Sequence, residues 1–125
     1  MYKSLEIFQT ASAMARNAGA RQAVVARNIA NADTPGYKAQ EVAKFSDAMD
    51  AQSARLRTTR PGHITQSPQV SSGKVTTTGE PSPNGNTVAL EDELMKSVAI
   101  TRDHDKALAV YRHAMTVLRT SLGKL

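Results

Sequence analysis

The sequence predicts an all-α protein in which two long terminal amphipathic helices pack as an antiparallel, coiled-coil-like pair. Apolar and small residues recur at spacings of three and four near both ends of the 125-residue chain, which is the spacing of one helix face. Between the two ends lies a segment dominated by Ser, Thr, Gly and Pro. That composition favours a flexible middle over a third layer of structure.

The N-terminal helix is predicted over residues 1–33. Its stripe of apolar and small residues consists of Leu5, Phe8, Ala11, Ala15, Ala18, Val25, Ile29 and Ala32. Because several of these side chains are small, a partner backbone can approach this face closely. The helix is expected to run for about 30 residues, or roughly 45 Å.

The C-terminal helix is predicted over residues 88–125 and carries a longer stripe. Acidic residues 91–93 fall in its first turn, and Arg119 and Lys124 lie near its end, an arrangement that complements the helix dipole. The residues expected to pack the two helices are Leu5, Phe8, Val25, Leu94, Val98, Leu108, Tyr111, Met115, Leu118 and Leu122.

The middle of the chain is divided into a turn with a short segment, residues 34–66, and a flexible linker, residues 67–87. Residues 41–57 are compatible with a short third helix anchored by Phe45, Met49 and Leu56. The linker has too few apolar residues to offset its ordering entropy and is expected to be disordered in the free monomer. Each long helix then has only the other to cover its stripe. The residues alone leave open a helical hairpin or a subunit covered by neighbouring copies.

The composition argues against catalytic and metal-binding functions. The chain has no cysteine, which excludes disulfides, thiolate metal sites and cysteine nucleophiles. Asp103, His104 and Asp105 are adjacent in sequence, but successive helical residues point about 100° apart and do not converge on one ion. No phosphate-binding glycine loop or nucleophile motif occurs. We therefore predict no enzyme activity, no cofactor and no metal.

A small basic helical nucleic-acid-binding protein is the alternative from another class. The net charge is +5, but it is spread along the chain, and Arg21 points away from Arg16 and Arg27 on a helical wheel. The group Arg55, Arg57, Arg60 and His63 has no aromatic residue among it to stack a base. Solvated charges are therefore favoured over a nucleic-acid site. No apolar run approaches the ~18 residues of a membrane span, and no secretory signal is recognisable.

A rigid corner is predicted where the first helix ends. Residues 34–37, Thr-Pro-Gly-Tyr, have the chemistry of a type II turn, because Pro35 fixes φ at the second position and Gly36 supplies a positive φ at the third. Pro35 also disfavours the α conformation at Thr34. The helix must therefore stop near Ala32, with Asn31 or Asp33 available to bond the open backbone groups.

This corner carries a two-part motif, Asn28-Ile29-Ala30-Asn31 followed by Thr34-Pro35-Gly36-Tyr37, within RNIANADTPGYKA. It resembles the N-terminal signature of the bacterial flagellar axial proteins, which are the rod and hook subunits of the basal body. The short length, LRTTRPGHI at 56–64 and GNTVALEDELMK at 85–96 are most similar to the proximal rod subunits. The similarity leaves chiefly residues 65–84 unmatched.

The resemblance implies a structural function. In this family the terminal helices pack together and against neighbouring subunits to form a hollow tube, which transmits torque and surrounds the export channel. The implied partners are copies of the chain, other rod proteins, membrane-ring or rod adaptor proteins and the flagellar type III export apparatus. The implied location is the periplasmic rod, after synthesis in the cytoplasm and export without a cleaved signal peptide. Another rod subunit or adaptor of the same tube is the nearest alternative.

The resemblance also implies roles for particular residues. A structural joint and subunit contact is expected at Asn28, Ile29, Asn31, Thr34, Pro35, Gly36 and Tyr37, against the alternative that these residues only end a helix. Early flagellar export substrates are similar in carrying a Phe followed four residues later by an apolar residue. Phe45 and Met49 fit that spacing, and core packing explains it equally well. Family members often have Asp or Asn where Ala89 stands, so Thr87 or Asn86 is expected to cap the last helix instead.

Overall fold

The chain folds around one pair of long helices, with a small sheet and a short helix at its side. The computed structural model describes residues 2–53, 75–77 and 79–123. In chain order these form helix α1 (Tyr2–Ala30), strand β1 (Gln40–Val42), helix α2 (Phe45–Ser53), strand β2 (Val75–Thr77) and helix α3 (Leu90–Ser121). The predicted fold class is confirmed, because α1 and α3 pack on each other and α2 is a short third helix against α1.

The seam between α1 and α3 is formed by small and branched residues that recur every seven positions. The buried apolar residues are Ala11, Ala18 and Val25 on α1 and Ile100, Ala107 and Ala114 on α3. A repeat of seven keeps one stripe of each helix facing its partner, as in a coiled coil. Phe8 and Tyr111 add a T-shaped ring pair, with centroids 5.1 Å apart and ring planes at 72°. Since Phe8 is near the start of α1 and Tyr111 is far along α3, the pair is antiparallel.

Only part of the apolar stripe predicted for α3 lines this seam: Tyr111 packs on Phe8 across it, but several other members point outward, which corrects the expected packing residues. Leu94, Val98 and Leu122 are 52%, 56% and 70% exposed. Leu5, Leu108 and Tyr111 are also exposed, whereas Phe8, Met115 and Leu118 are half-buried and Val25 is buried. The physical reason is size: alanines at the seven-residue positions let the helices approach closely, and the bulkier side chains turn outward.

The third helix begins at Phe45 rather than at residue 41 as predicted. Glu41 and Val42 belong to β1, which pairs antiparallel with β2 in the register Gln40 with Thr77 and Val42 with Val75. Val42 is buried, and its β-branched side chain favours the strand conformation. Leu56 lies outside the described residues, as do the predicted basic group at 55–63 and residues 56–64 of the family resemblance.

The segment predicted as a flexible linker, residues 67–87, is described only in part. Its residues 75–77 are strand β2, and residues 79–87 run beside the turn that follows α1. The sequence predicted neither the strand nor this contact. The expectation of flexibility for the rest of the segment stays a prediction.

Helix α3 begins at Leu90 without a side-chain cap. Ala89 is the N-cap residue in an extended conformation, and no side chain bonds the open N–H groups there. Thr87 and Asn86 were expected to take over, but both side chains bond elsewhere, as described below. The acidic residues of the first turn still complement the helix dipole. In the described part of the chain, no helix is long and apolar enough to span a membrane.

Candidate functional site

The predicted corner after α1 is one half of a larger hydrogen-bonded unit. Its other half is the chain segment that leads into α3. The antiparallel pairing brings the end of α1 beside the start of α3, so residues 28–40 meet residues 84–93. We refer to these two segments together as the joint.

The turn at the tip of the joint has the geometry expected of a type II turn. The Tyr37 N–H donates to the Thr34 carbonyl at 3.3 Å, and Gly36 has a φ of 73°. Residues other than glycine rarely adopt that φ. Asn31 supports the turn from the helix side, because its Nδ2 donates to the Arg27 carbonyl at 2.8 Å and its Oδ1 accepts from the Thr34 hydroxyl at 3.3 Å.

Asn28 is the centre of the joint and is fully buried, with 0% of its surface exposed. Its Nδ2 donates to the Gln40 carbonyl at 2.7 Å and to Glu93 Oε2 at 3.0 Å. Its Oδ1 accepts from the Gln40 N–H at 3.0 Å and from the Tyr37 hydroxyl at 3.3 Å. Two donors and two acceptors use the full bonding capacity of an amide side chain. Asn28 therefore ties α1, the start of β1 and α3 together at one point.

Glu93 links this centre to a surface charge cluster. The Glu93 side chain is buried, and its Oε1 lies 3.1 Å from Lys96 Nζ. Lys96 also lies 3.6 Å from Glu41 on β1. Partial burial lowers the pKa of Lys96, but the hydrogen bond and charge of Glu93, and then of Glu41, more than offset it and raise the pKa above its ordinary value. The cation is therefore held between strand and helix.

Asn86 holds the turn that follows α1 from far along the chain. Its side chain is buried, and its Nδ2 lies 2.9, 2.8 and 2.8 Å from the carbonyl oxygens of Asn31, Ala32 and Thr34. Its Oδ1 accepts from the Val88 N–H at 2.7 Å. These three carbonyls lie just beyond the last residue of α1, Ala30. Asn86 thus fixes the turn after α1 rather than capping the start of α3.

Backbone bonds complete the joint on either side of Asn86. The Gly36 N–H donates to the Asn84 carbonyl at 3.0 Å, and the Thr87 N–H donates to the Tyr37 carbonyl at 3.0 Å. The Ala39 N–H donates to Thr87 Oγ1 at 2.7 Å. Because these bonds alternate along both segments, residues 36–39 and 84–87 hold each other in one register.

The structure brings some of the predicted joint residues together and leaves others at the surface. Asn28 and Tyr37 share a hydrogen bond, and Ile29 packs on the small apolar cluster of Ala18, Val25 and Ile100. Asn31 is half-buried, and Thr34, Pro35 and Gly36 are exposed. The predicted residues therefore form a buried base with an exposed turn on top.

Sequence reasoning missed Gln40 in the first half of the joint and the residues that the second half contributes, namely Asn86, Thr87 and Glu93. A signal for them was present. In an antiparallel pair the start of α3 must lie beside the end of α1, so polar residues just before Leu90 are natural partners for the open carbonyls there. The residues before Leu90 were considered only as a local cap of α3, so their contacts with the turn after α1 were not predicted.

The remaining candidate residues lie elsewhere. Phe45 begins α2 and is half-buried, and Met49 is 44% exposed one turn later. Of the predicted surface charges, Asp103 pairs with Arg21 at 2.9 Å and with Lys106 at 3.8 Å. Among the described residues no group of three or more His, Cys, Asp or Glu is arranged to hold a metal ion. The joint is therefore a hydrogen-bonded structural unit.

Comparison with known proteins identifies the family of this chain. The family model described as flagella basal body rod protein matches residues 9–38, which include most of α1 and the turn. The chain is 34% identical over 110 residues to the flagellar basal body rod protein FlgB of Agrobacterium fabrum (strain C58), and this match covers 81% of each chain. It is 36% identical over 78 residues to FlgB of Bacillus subtilis (strain 168), covering 59% of this chain and 60% of that one. The chain belongs to the flagellar basal body rod protein family.

Proposed function

We propose that the chain is a structural subunit of the proximal rod of the flagellar basal body, part of the hollow shaft that transmits torque and surrounds the export channel. Membership of the rod protein family supports a structural role. The observation that carries the proposal is the large apolar surface of α3 that the folded chain leaves uncovered.

This uncovered surface is extensive for a chain of this size. Leu90, Leu94, Met95, Val98, Val110, Val117 and Leu122 of α3 are between 42% and 73% exposed. Exposed apolar side chains scattered singly are normal, but neighbouring ones mark an interaction site, and Leu90, Leu94, Met95 and Val98 are neighbours in the first turns of α3. Burial against neighbouring subunits of a tube would remove this surface from water.

The joint suits the role of a subunit contact held on a rigid base. Its exposed turn, at Thr34, Pro35 and Gly36, stands over the buried Asn28 and the half-buried Tyr37. A contact made by such a turn loses little conformational entropy on assembly, because the hydrogen bonds beneath have already ordered it. We therefore propose that the turn contacts a neighbouring subunit while Asn28 and its partners set the angle between the helices.

The partners and route proposed for the chain follow from the rod assignment. The partners are copies of the chain, other rod proteins, rod and membrane-ring adaptor proteins and the type III export apparatus. The chain is made in the cytoplasm and exported to the periplasmic rod without a cleaved signal. Phe45 and Met49 are proposed as the pair that the export gate reads, and secretion of Phe45→Ala at the wild-type level would refute that role.

The test of the proposed function is a strain deleted for this gene. Loss of swimming, together with basal bodies that retain membrane rings but no rod, is the expected result, and the gene supplied in trans should restore both. Normal swimming and intact rods in the deleted strain would overturn the proposal. Salt-dependent DNA affinity of the purified chain in the low micromolar range would point to the nucleic-acid-binding alternative.

A further inference from the structure

We propose that a cleft between α1, α2 and α3 receives the exposed apolar face at the start of α3 from a second copy of this chain. The inference rests on the proposed rod function and deepens it, because it names the two surfaces through which copies meet. The cleft lies outside the joint, and of the face only Glu91 falls within the joint's residue range.

The cleft has an apolar floor and a basic rim. It has a volume of about 390 Å³, and its lining includes Met14 and Ala18 of α1 and Phe45 of α2. Lys44 and Lys106 also line it, and both side chains are exposed. A volume of this size admits several apolar side chains at once.

The charge of the cleft is positive. Arg21, Lys44 and Lys106 bring three cations to its lining, and Asp103 brings one carboxylate. Arg21 Nη1 forms an ion pair with Asp103 at 2.9 Å, whereas Lys106 lies 3.8 Å from the same carboxylate. Within the described residues Lys44 makes no ion pair, so its charge is available to a partner of opposite sign.

The apolar face at the start of α3 has the matching chemistry. Leu94, Met95 and Val98 are 52%, 73% and 56% exposed. On a helix that advances about 100° per residue, Glu91 lies within about 60° of each of them. Glu91 is exposed and makes no ion pair among the described residues. The face therefore presents three apolar side chains around one free carboxylate, the complement of an apolar floor with a free cation.

A chain cannot fill its own cleft with its own face. Ala99 lines the cleft, and Val98 and Leu94 of the face lie about 100° and about 140° from it around the helix. Met95 lies about 40° from Ala99 and borders the cleft, whereas Leu94 and Val98 open on a different side of α3. A contact of one surface with a different surface of the next copy is head-to-tail, and such contacts generate rings or helical assemblies. That is the geometry a tube requires.

The first test reverses the two free charges separately and together. Lys44→Glu places a carboxylate opposite Glu91, and Glu91→Lys places an ammonium opposite Lys44. Each single reversal is expected to reduce rod assembly in the deleted strain about tenfold or more, because like charges facing across an interface are strongly disfavoured. The double variant Lys44→Glu/Glu91→Lys restores opposite charges and is expected to recover assembly to within about threefold of wild type.

A matched control separates this pairing from a general charge effect. Arg112 is exposed on α3 and does not line the cleft, so Arg112→Glu should assemble normally and should not rescue Glu91→Lys. Helix content by circular dichroism must match wild type in every variant. Wild-type assembly of both single reversals, or a double variant that folds and fails to recover, would overturn the proposal.

The second test works without rod assembly and so distinguishes the inference from the proposed function. Because the chain has no cysteine, Ser46→Cys on the cleft and Met95→Cys on the face can be placed in two differently tagged copies. Oxidation of the concentrated mixture should yield a disulfide-linked pair. Thr116→Cys lies about 27 Å further along α3 than Val98 and serves as the control. Mixed with Ser46→Cys, it should yield at least tenfold less disulfide-linked pair than Met95→Cys does. Equal yields would overturn the contact, even if the deletion strain lacks rods. A selective yield would support it, even if that strain keeps its rods.

Discussion

Removal of the Asn28 amide is expected to destabilise the fold more than any other single polar change in the joint. Asn28→Ala leaves the Gln40 N–H, the Gln40 carbonyl and Glu93 Oε2 without their partner. Tyr37 is half-buried, so its hydroxyl can turn to water, and Lys96 still holds the other Glu93 oxygen.

The size of the effect follows from the number of groups left unsatisfied. A buried polar group deprived of its partner costs about 1–3 kcal/mol, and three such groups give about 3–9 kcal/mol, with the lower figure applying if a water enters the vacated space. The total stability of a small domain is about 5–15 kcal/mol. The variant is therefore expected to lose a large share of its helix content at room temperature.

The assay is urea unfolding followed by far-ultraviolet circular dichroism. Asn31→Ala is the matched control, because Asn31 is half-buried and its two side-chain hydrogen bonds lie at the exposed helix end. It should cost about 1 kcal/mol or less. Asn28→Asp keeps the shape but turns a carboxylate oxygen toward Glu93 and the Gln40 carbonyl, so it should be at least as unstable as Asn28→Ala.

The pair of Asn28 and Glu93 also supplies the decisive double variant. In Asn28→Asp/Glu93→Gln the side-chain amide that donates the hydrogen bond moves from residue 28 to residue 93. Only residue 28 then carries a negative charge, so the repulsion between two carboxylates is removed. The double variant should be more stable than Asn28→Asp by about 1–2 kcal/mol, a coupling energy within the range for residues in contact. If Asn28→Ala costs no more than Asn31→Ala, or if the double variant is the least stable of the set, the buried hub does not exist as described.

Three further predictions concern the rest of the joint. Gly36 has an open surrounding but a φ of 73°, so Gly36→Val should cost about 1–3 kcal/mol from backbone strain and block normal rod assembly, whereas Gly19→Ala in mid-helix should add about 0.5–1 kcal/mol by the same urea assay. Asn86→Ala should raise amide hydrogen exchange in the turn after α1 by about tenfold or more, because the Ala32 carbonyl loses its donor and those of Asn31 and Thr34 keep only a backbone donor; unchanged exchange there would contradict the role of Asn86 in holding the turn. Because Glu93 and Glu41 raise the pKa of Lys96, its contribution to stability is complete below about pH 10 and is lost as the pH rises through the raised folded-state value. Lys96→Met should therefore flatten the alkaline loss of stability, and an identical loss in both proteins would refute the linkage.

The two long helices could be predicted from sequence, and so could the packing face of α1, which includes Ala11, Ala18 and Val25, but the packing face of α3 could not. Spacings of three and four drew attention to Leu94, Val98 and Leu122, which are large and apolar. The seam instead follows Ile100, Ala107 and Ala114 at steps of seven. Alanine contributes little to a hydrophobic pattern, yet it allows the close approach that decides which face packs. An apolar stripe left exposed in a subunit is expected wherever a second partner covers it.

The local half of the joint could also be predicted, because its chemistry is contained in adjacent residues. Pro35 and Gly36 specify a turn whatever surrounds them. The distant half was not predictable in the same way, since Asn86 bonds carbonyls 52 to 55 residues earlier in the chain. Nothing in the residues next to Asn86 indicates those partners. Only the antiparallel pairing of the helices brings them within reach.

That long separation bears on how the chain matures. Asn28 acts on Glu93 across 65 residues and Arg21 on Asp103 across 82, so both contacts need the first part of α3 to be present. Loop closure over such distances must precede any gain from the contacts. An N-terminal portion emerging first on the proposed export route would have its turn but neither the Asn86 contacts nor the Glu93 partner. The rigid joint therefore forms only once the start of α3 is present. On the proposed route, the chain would stay flexible during export and become rigid afterwards.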